Sequence, residues 1–142
     1  QTVGLGSNAA PLRHYHTRIL ATANTRLNMV RHLGFRKDGL RPTSAIRLYK
    51  SLVRPILEYA ACIITRSPKQ LKDLERFQLK ALKSLLGLPA YTKSAAVRLF
   101  TGIPPIKSRF KFLRFKYFLL NPKAFEARAS RRSNEPSTIQ IR

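Results

Sequence analysis

Acidic side chains are nearly missing from this sequence. Six Asp and Glu stand against 28 Lys and Arg in 142 residues, a formal net charge of +22. Such a chain repels itself when free, and a polyanion relieves that strain. Nucleic acid is the expected partner, and an anionic membrane surface the weaker one. The same scarcity bears on chemistry. Two-metal phosphoryl transfer needs carboxylates converging on ions about 4 Å apart. The closest acids, Asp73 and Glu75, point to different faces of a helix, and Asp38, Glu58, Glu126 and Glu135 are scattered. Cysteine is reduced to Cys62, which excludes an internal disulfide and reads as a small core residue on a helix. With one cysteine, and with His14 and His16 two apart on a helix, a structural zinc site lacks ligands. There is no Gly-rich phosphate loop ahead of a helix and no pattern for Ser/His/Asp catalysis. No apolar run reaches the roughly 18 residues that would span a membrane. The expectation is a binding protein and not an enzyme, with no catalytic residue, metal or cofactor and no membrane span. The first residue is Gln rather than Met, as in a fragment, a processed product or an incompletely built sequence.

Apolar residues are present at 44%, enough for one domain with a modest core. The central stretch is IRLYKSLVRPILEY, Ile46 to Tyr59, continuing through Ile64. Ile46, Tyr49, Val53, Ile56, Ala60 and Ile63 recur at helical spacing. Arg47, Lys50, Ser51, Arg54 and Glu58 fall on the opposite side, a cationic back for a partner. Pro55 removes a backbone N–H and clashes with the Ser51 carbonyl, which predicts a kink or two short helices. Upstream, residues 1–10 are irregular, Pro11 suits a first helical turn, and Ile19, Ala23, Leu27, Val30 and Leu33 form a stripe closed by Gly34. The link that follows carries a D-G turn signal with Arg36, Lys37 and Arg41. Downstream, Ser67-Pro68-Lys69-Gln70 has the pattern of a capping box. It opens a helix with the seam Leu71, Leu74, Gln78, Ala81 and Leu85, stopped by Gly87 and Pro89. A short helix near 93–101 ends at Gly102, and Pro104-Pro105 forces a corner.

The last predicted helix, about 105–120, is apolar on two faces. Ile106, Phe110, Leu113, Tyr117 and Leu120 form one stripe, and Phe112, Phe115 and Leu119 a second nearly opposite. Such a helix lies between layers or offers one face to a partner. Residues 121–142 are basic and weakly hydrophobic, which predicts an extended tail that orders only on RNA or another chain. No internal repeat and no strand alternation is visible. The fold class is all-α: a small bundle of about five helices over 11–120, with an irregular segment 1–10 before it and an extended basic tail 121–142 after it.

With those pieces in view, the chain resembles the region just after the catalytic palm in reverse transcriptases of non-LTR (LINE-type) retrotransposons. The matching pieces begin with Ala23-Asn24-Thr25-Arg26-Leu27-Asn28, Leu33-Gly34 and Leu48-Tyr49-Lys50-Ser51-Leu52-Val53-Arg54-Pro55-Ile56-Leu57-Glu58-Tyr59. They continue with Leu74-Glu75-Arg76-Phe77-Gln78-Leu79-Lys80-Ala81-Leu82, Leu86-Gly87-Leu88-Pro89 and Thr101-Gly102-Ile103-Pro104-Pro105-Ile106. They follow the family's order over roughly Val3 to Leu120. The family usually has a Trp soon after the Tyr59 position; here Ile63-Ile64 follow and Trp is absent. The palm, the endonuclease and the Cys/His-rich end of such polyproteins have no counterpart in these residues. The resemblance implies a thumb, a helical bundle that tracks the backbone of a template–primer duplex.

The candidate phosphate contacts are the row Lys72, Arg76, Lys80 and Lys83, the cations Arg41, Arg47, Lys50 and Arg54, the flanks Lys107, Lys111, Arg114 and Lys116, and Arg131 and Arg132 in the tail. A charged helix row is ordinarily a solvated face; here almost no acids offset it. Phe112, Phe115 and Phe118 lie among cations as in single-strand binders, yet aromatic stripes at helical spacing usually bury, and core packing is the favoured expectation. Phosphate contacts position without reading bases, so low sequence specificity is expected. The preferred setting is a structural RNA-binding part of a large ribonucleoprotein such as a ribosome, contacting RNA (rRNA included) and neighbouring proteins. A retrotransposon polymerase fragment on an RNA/DNA duplex and a protein–protein adaptor are the alternatives. A mitochondrial or cytoplasmic ribonucleoprotein is preferred to a nuclear one.

Overall fold

In the computed structural model, which describes residues 9–34, 39–59 and 61–133, every regular element is helical. The order is α1 (Ala9–Gly34), α2 (Pro42–Leu48), a π-helical turn (Tyr49–Val53), α3 (Arg54–Glu58), α4 (Pro68–Leu85), α5 (Ser94–Thr101), α6 (Ile106–Leu120) and α7 (Pro122–Ser133). The all-α expectation holds. Residues 1–8, with the N-terminal segment, and 35–38, with Arg36 and Lys37, lie outside the described residues. No helix among the described residues is long and apolar enough to cross a membrane.

One core runs from α1 to α6. Ile19, Ala23 and Leu27 of α1 meet Tyr49, Val53 and Leu57, then Leu74, Ala81 and Leu82 of α4, Val97 of α5, and Ile106 and Phe110 of α6. A buried leucine such as Leu74 contributes about 1.5–3 kcal/mol by leaving water. At the near end of α1 the stripe is as expected, with Val30 buried, but Leu33 is exposed.

The central helix departs from its predicted register. The fully buried seam is Ala45, Tyr49, Val53, Leu57 and Ala61, a step of four throughout. Of the expected stripe, Tyr49 and Val53 are in it, Ile46 and Ile56 are half-buried against the core, Ile63 is exposed, and Ala60 lies outside the described residues. The wide turn at Tyr49–Val53 is the reason. The Arg54 N–H reaches the Tyr49 carbonyl, one residue further back than in an α-helix, and the extra residue per turn moves the buried face. That widening sits just before Pro55 and divides the run into the short helices α2 and α3 without a gap between them. The helix also ends at Glu58, so the expected continuation to Ile64 is absent: Tyr59 is extended (φ −54°, ψ 130°), Ile63 is exposed and Cys62 is only half-buried.

Local signals downstream are met. Ser67 Oγ accepts from the Gln70 N–H at 3.3 Å, and Gln70 Oε1 accepts from the Ser67 N–H at 3.0 Å, the reciprocal capping box. At the other end, Gly87 takes φ +64°, while Leu88 N–H bonds the Lys83 carbonyl at 2.8 Å. That left-handed residue closes α4 as only glycine does without strain.

Three polar side chains fasten the helices to each other. Gln78, buried in α4, accepts from Tyr49 Oη at 3.3 Å and donates to the Pro104 carbonyl at 3.1 Å. Glu75 accepts from Arg98 of α5 at 2.6 Å and from the Ile106 N–H, the first of α6, at 2.7 Å, where a carboxylate also suits the positive end of the helix. Glu58 accepts from Arg54 at 2.6 Å and from Arg109 of α6 at 2.8 Å.

The predicted extended tail is corrected over its first half. Residues 122–133 form α7, begun by Pro122 with the Asn121 carbonyl accepting from Ala124 and Phe125. Phe125 sets its ring edge-on to Phe118, with centroids 6.2 Å apart, and Arg128 lies 5.3 Å over Phe118. These two contacts with Phe118 and a proline start outweigh low mean hydropathy. Residues 134–142 lie outside the described residues.

Glu58→Ala, which leaves Arg54 and Arg109 without their shared carboxylate, is expected to cost about 3 kcal/mol in urea unfolding. Glu126→Ala, on the exposed side of α7, should change stability by less than about 0.5 kcal/mol. Equal effects would show that Glu58 does not hold α3 to α6.

Candidate nucleic-acid interface

The fold consumes its acids. Glu58 and Glu75 are engaged inside as described, and Asp73 lies 3.8 Å from His16 and 3.9 Å from Arg76. Little negative charge remains to screen the outer cations.

The clearest outer row belongs to α4. Leu74, Gln78, Ala81 and Leu82 turn inward, which places Lys72, Arg76 and Lys80 outward, all exposed, the Arg76 side chain at 81%. Lys69 is exposed on the same side, three residues before Lys72. It extends the row, although in the sequence it stands within the capping segment Ser67–Gln70. From Lys69 to Lys80 the row covers roughly 16 Å at about 1.5 Å per residue. A duplex carries about one phosphate charge per 1.7 Å of axis, so the row meets several. Lys83 differs: it is half-buried and donates to the Ala90 carbonyl at 2.7 Å, clamping the loop after α4.

Arg13 of α1 shares a cleft of about 470 Å3 with Lys69, lined also by His16, Thr17, Ser67 and Asp73. That cleft carries the row on toward α1. Arg54 leaves the candidate set, because its side chain is 17% exposed and its guanidinium is held by Glu58. The register shift at the π-helical turn is what swings it inward. Arg41, Arg47, Lys50, Lys107 and Lys116 are exposed cations outside the α4 row. Lys111 and Arg114 line a separate groove against α7. Arg131 is exposed at the end of α7, and the side chain of Arg132 lies outside the described residues.

The expected burial of the aromatic stripe on α6 is corrected. Phe112 is 53% exposed and Phe115 63% exposed, because α6 packs by Ile106 and Phe110 with Leu113 behind them. Only Phe118 is half-buried.

Arg66 is the residue that sequence periodicity misses. It sits in the loop before α4, is 7% exposed, and lies 5.9 Å over Tyr15 and 5.5 Å over Phe110. Its Nε and Nη2 are buried with no hydrogen-bond partner. The two rings hold the cation in place of a carboxylate. Burial pushes the Arg66 pKa down, and burial pushes that of Tyr15 up against the pull of Arg66. Nothing in local spacing marks a loop arginine for the interior. Among the described residues no group of three or more His, Cys, Asp or Glu comes together.

His16 is nine-tenths buried beside this cation. Burial first, then Arg66, push its pKa below the ordinary 6.5, with Asp73 pulling the other way. As pH falls below 6.5 the unfolded chain therefore takes up a proton that the folded one resists, and stability falls. The thermal midpoint is expected to drop from pH 6.5 downward and to be regained on raising the pH. His16→Gln should remove most of that slope; an unchanged slope would place its origin elsewhere.

No protein-family model, curated protein or solved structure matches this chain.

Proposed function

We propose that the chain is a non-catalytic RNA-binding module, descended from a reverse-transcriptase thumb and serving as a structural component of a large ribonucleoprotein. The observation that carries this reading is the outer row Lys69, Lys72, Arg76 and Lys80 on a rigid, doubly capped helix, in a chain with only six acids, two of which, Glu58 and Glu75, are engaged between helices. Rigid spacing lets such a row meet backbone phosphates without ordering a loop first. The contact recognises charge and shape, and bases go unread. The thumb resemblance supports the same surface, since a thumb follows a duplex backbone. A polymerase fragment gripping a template–primer duplex uses the same row, and the bound nucleic acid separates the two settings. The exposed Phe112, Phe115 and Leu119 on α6 favour a protein neighbour as the second reading.

Lys72→Glu combined with Arg76→Glu is expected to weaken binding to a hairpin RNA and to flatten the dependence of log K on log salt by roughly two units. Circular dichroism and the melting midpoint should stay unchanged, because both side chains are exposed. Unaltered affinity would remove the row from the interface. Sedimentation of the native protein at low and high salt, with sequencing of bound RNA, separates the settings. Salt-resistant migration with ribosomal RNA supports the structural component; mixed short nucleic acid released at moderate salt supports the polymerase fragment.

A further inference from the structure

The elbow between α6 and α7 has a different chemistry from the α4 row. The two helices are joined by Asn121 alone, and their inner faces enclose a groove of about 510 Å3, within the range of roughly 300–1,000 Å3 usual for small-ligand clefts. Lys111, Arg114, Phe115 and Phe118 line it from α6, and Phe125 and Arg128 from α7. Phe115 and Phe125 are 63% and 60% exposed, open rings at the groove wall. Phe118 is set as a floor by its edge contact with Phe125 and by Arg128 lying over it. Arg114 is anchored through Nη2 to the Ile64 carbonyl at 3.5 Å, and its Nε is buried without a partner. No carboxylate is among the lining residues; Glu126 of α7 is not one of them.

Three cations with no acid select an anionic occupant, and accessible rings select a flat π-face. An apolar helix satisfies only the rings, and a duplex satisfies only the charges, since its bases are stacked away. A single strand satisfies both, its bases stacking on aromatics while its phosphates meet Lys and Arg. We propose that the elbow binds unpaired nucleotides of an RNA strand, with Phe115 and Phe125 as stacking platforms and Lys111, Arg114 and Arg128 on the phosphates. The proposal rests on the RNA-binding reading above and deepens it: the preferred ligand is a duplex bearing a single-stranded extension.

Two probes test it by fluorescence anisotropy, a blunt hairpin RNA and the same hairpin with an oligoadenosine tail containing a purine whose emission is quenched by stacking. The tailed hairpin is expected to bind more tightly and its emission to fall. Phe115→Ala should remove roughly ten-fold of the tail's gain and restore emission, with blunt-hairpin affinity unchanged. Phe115→Tyr should keep both effects. Phe125→Ala should act as Phe115→Ala does, and the retained fold of Phe115→Ala keeps the test valid if Phe125→Ala loosens α7. Equal affinity for the two probes, or a Phe115→Ala loss shared by both, would overturn the proposal while leaving the α4 row intact. Failure of the wild-type protein to bind either probe would overturn the RNA-binding reading itself. Competition for the groove by an acidic peptide, with no effect of the tail, would overturn the choice of occupant.

Discussion

Carboxylates holding guanidinium groups between helices are the interactions on which this structure depends. Glu58 joins Arg54 to Arg109, and Glu75 joins Arg98 to the first N–H of α6. Each acid takes two donors on different elements, so a pair of side chains ties α3, α4, α5 and α6. In a chain with 28 basic and six acidic residues that economy has a consequence at the surface. Acids used inside cannot neutralise cations outside, and the same side chains that close the bundle leave its exterior strongly positive. Half-buried pairs of this kind gain from reduced screening by water, where exposed ones are worth little.

Arg66 shows how the interior manages once acids run out. With no carboxylate in reach, its guanidinium is sandwiched between Tyr15 and Phe110, ring faces standing in for a counter-ion. His16, next to it, is pushed toward its neutral form, and the α1–α4 junction thereby avoids a second buried positive charge. The bundle thus combines a polar, carboxylate-fastened side with a cation–π side, and both help to fix how α6 lies on α4 and α1. The placement of α6 in turn decides where α7 starts and what the elbow presents.

Much of this was legible in the sequence where the signal is local. The Ser67 capping box, the glycine stop of α4 and the Gly102 stop of α5 each need only a few adjacent residues, and each is found. The α4 row was legible too, since charge at helical spacing opposite an apolar seam has one geometric outcome; the +3 step from Lys69 to Lys72 carried the same signal. The central seam was not. Ile46 and Ile56 fit a standard helical period and pack at the edge of the core, but a π-helical turn before Pro55 changes the period and centres the seam on Ala45, Leu57 and Ala61 instead, and no pattern of apolar residues announces it. Arg54 was misplaced for the same reason. The helix at 122–133 is obscured by averaging: the tail as a whole is polar, while α7 starts at Pro122 and sets Phe125 and Arg128 against Phe118.

By itself the sequence determined the all-helical class, the ends of α4 and the C-terminal stop of α5, and the excess of positive charge, because periodicity, capping and composition act within a few residues or across the whole chain regardless of arrangement. Only the tertiary structure decided which cations are free. Arg66 and Arg109 read as surface charges one by one, yet a pair of rings or a carboxylate from distant elements draws each inward, and that same carboxylate, Glu58, also holds Arg54 four residues before it in the chain. It also decided that Phe112 and Phe115 stay exposed, since α6 packs into the core by Ile106 and Phe110 and its second apolar stripe meets no core layer. A side chain's exposure depends on what the rest of the chain places beside it, and that is a property of packing that no window of sequence contains.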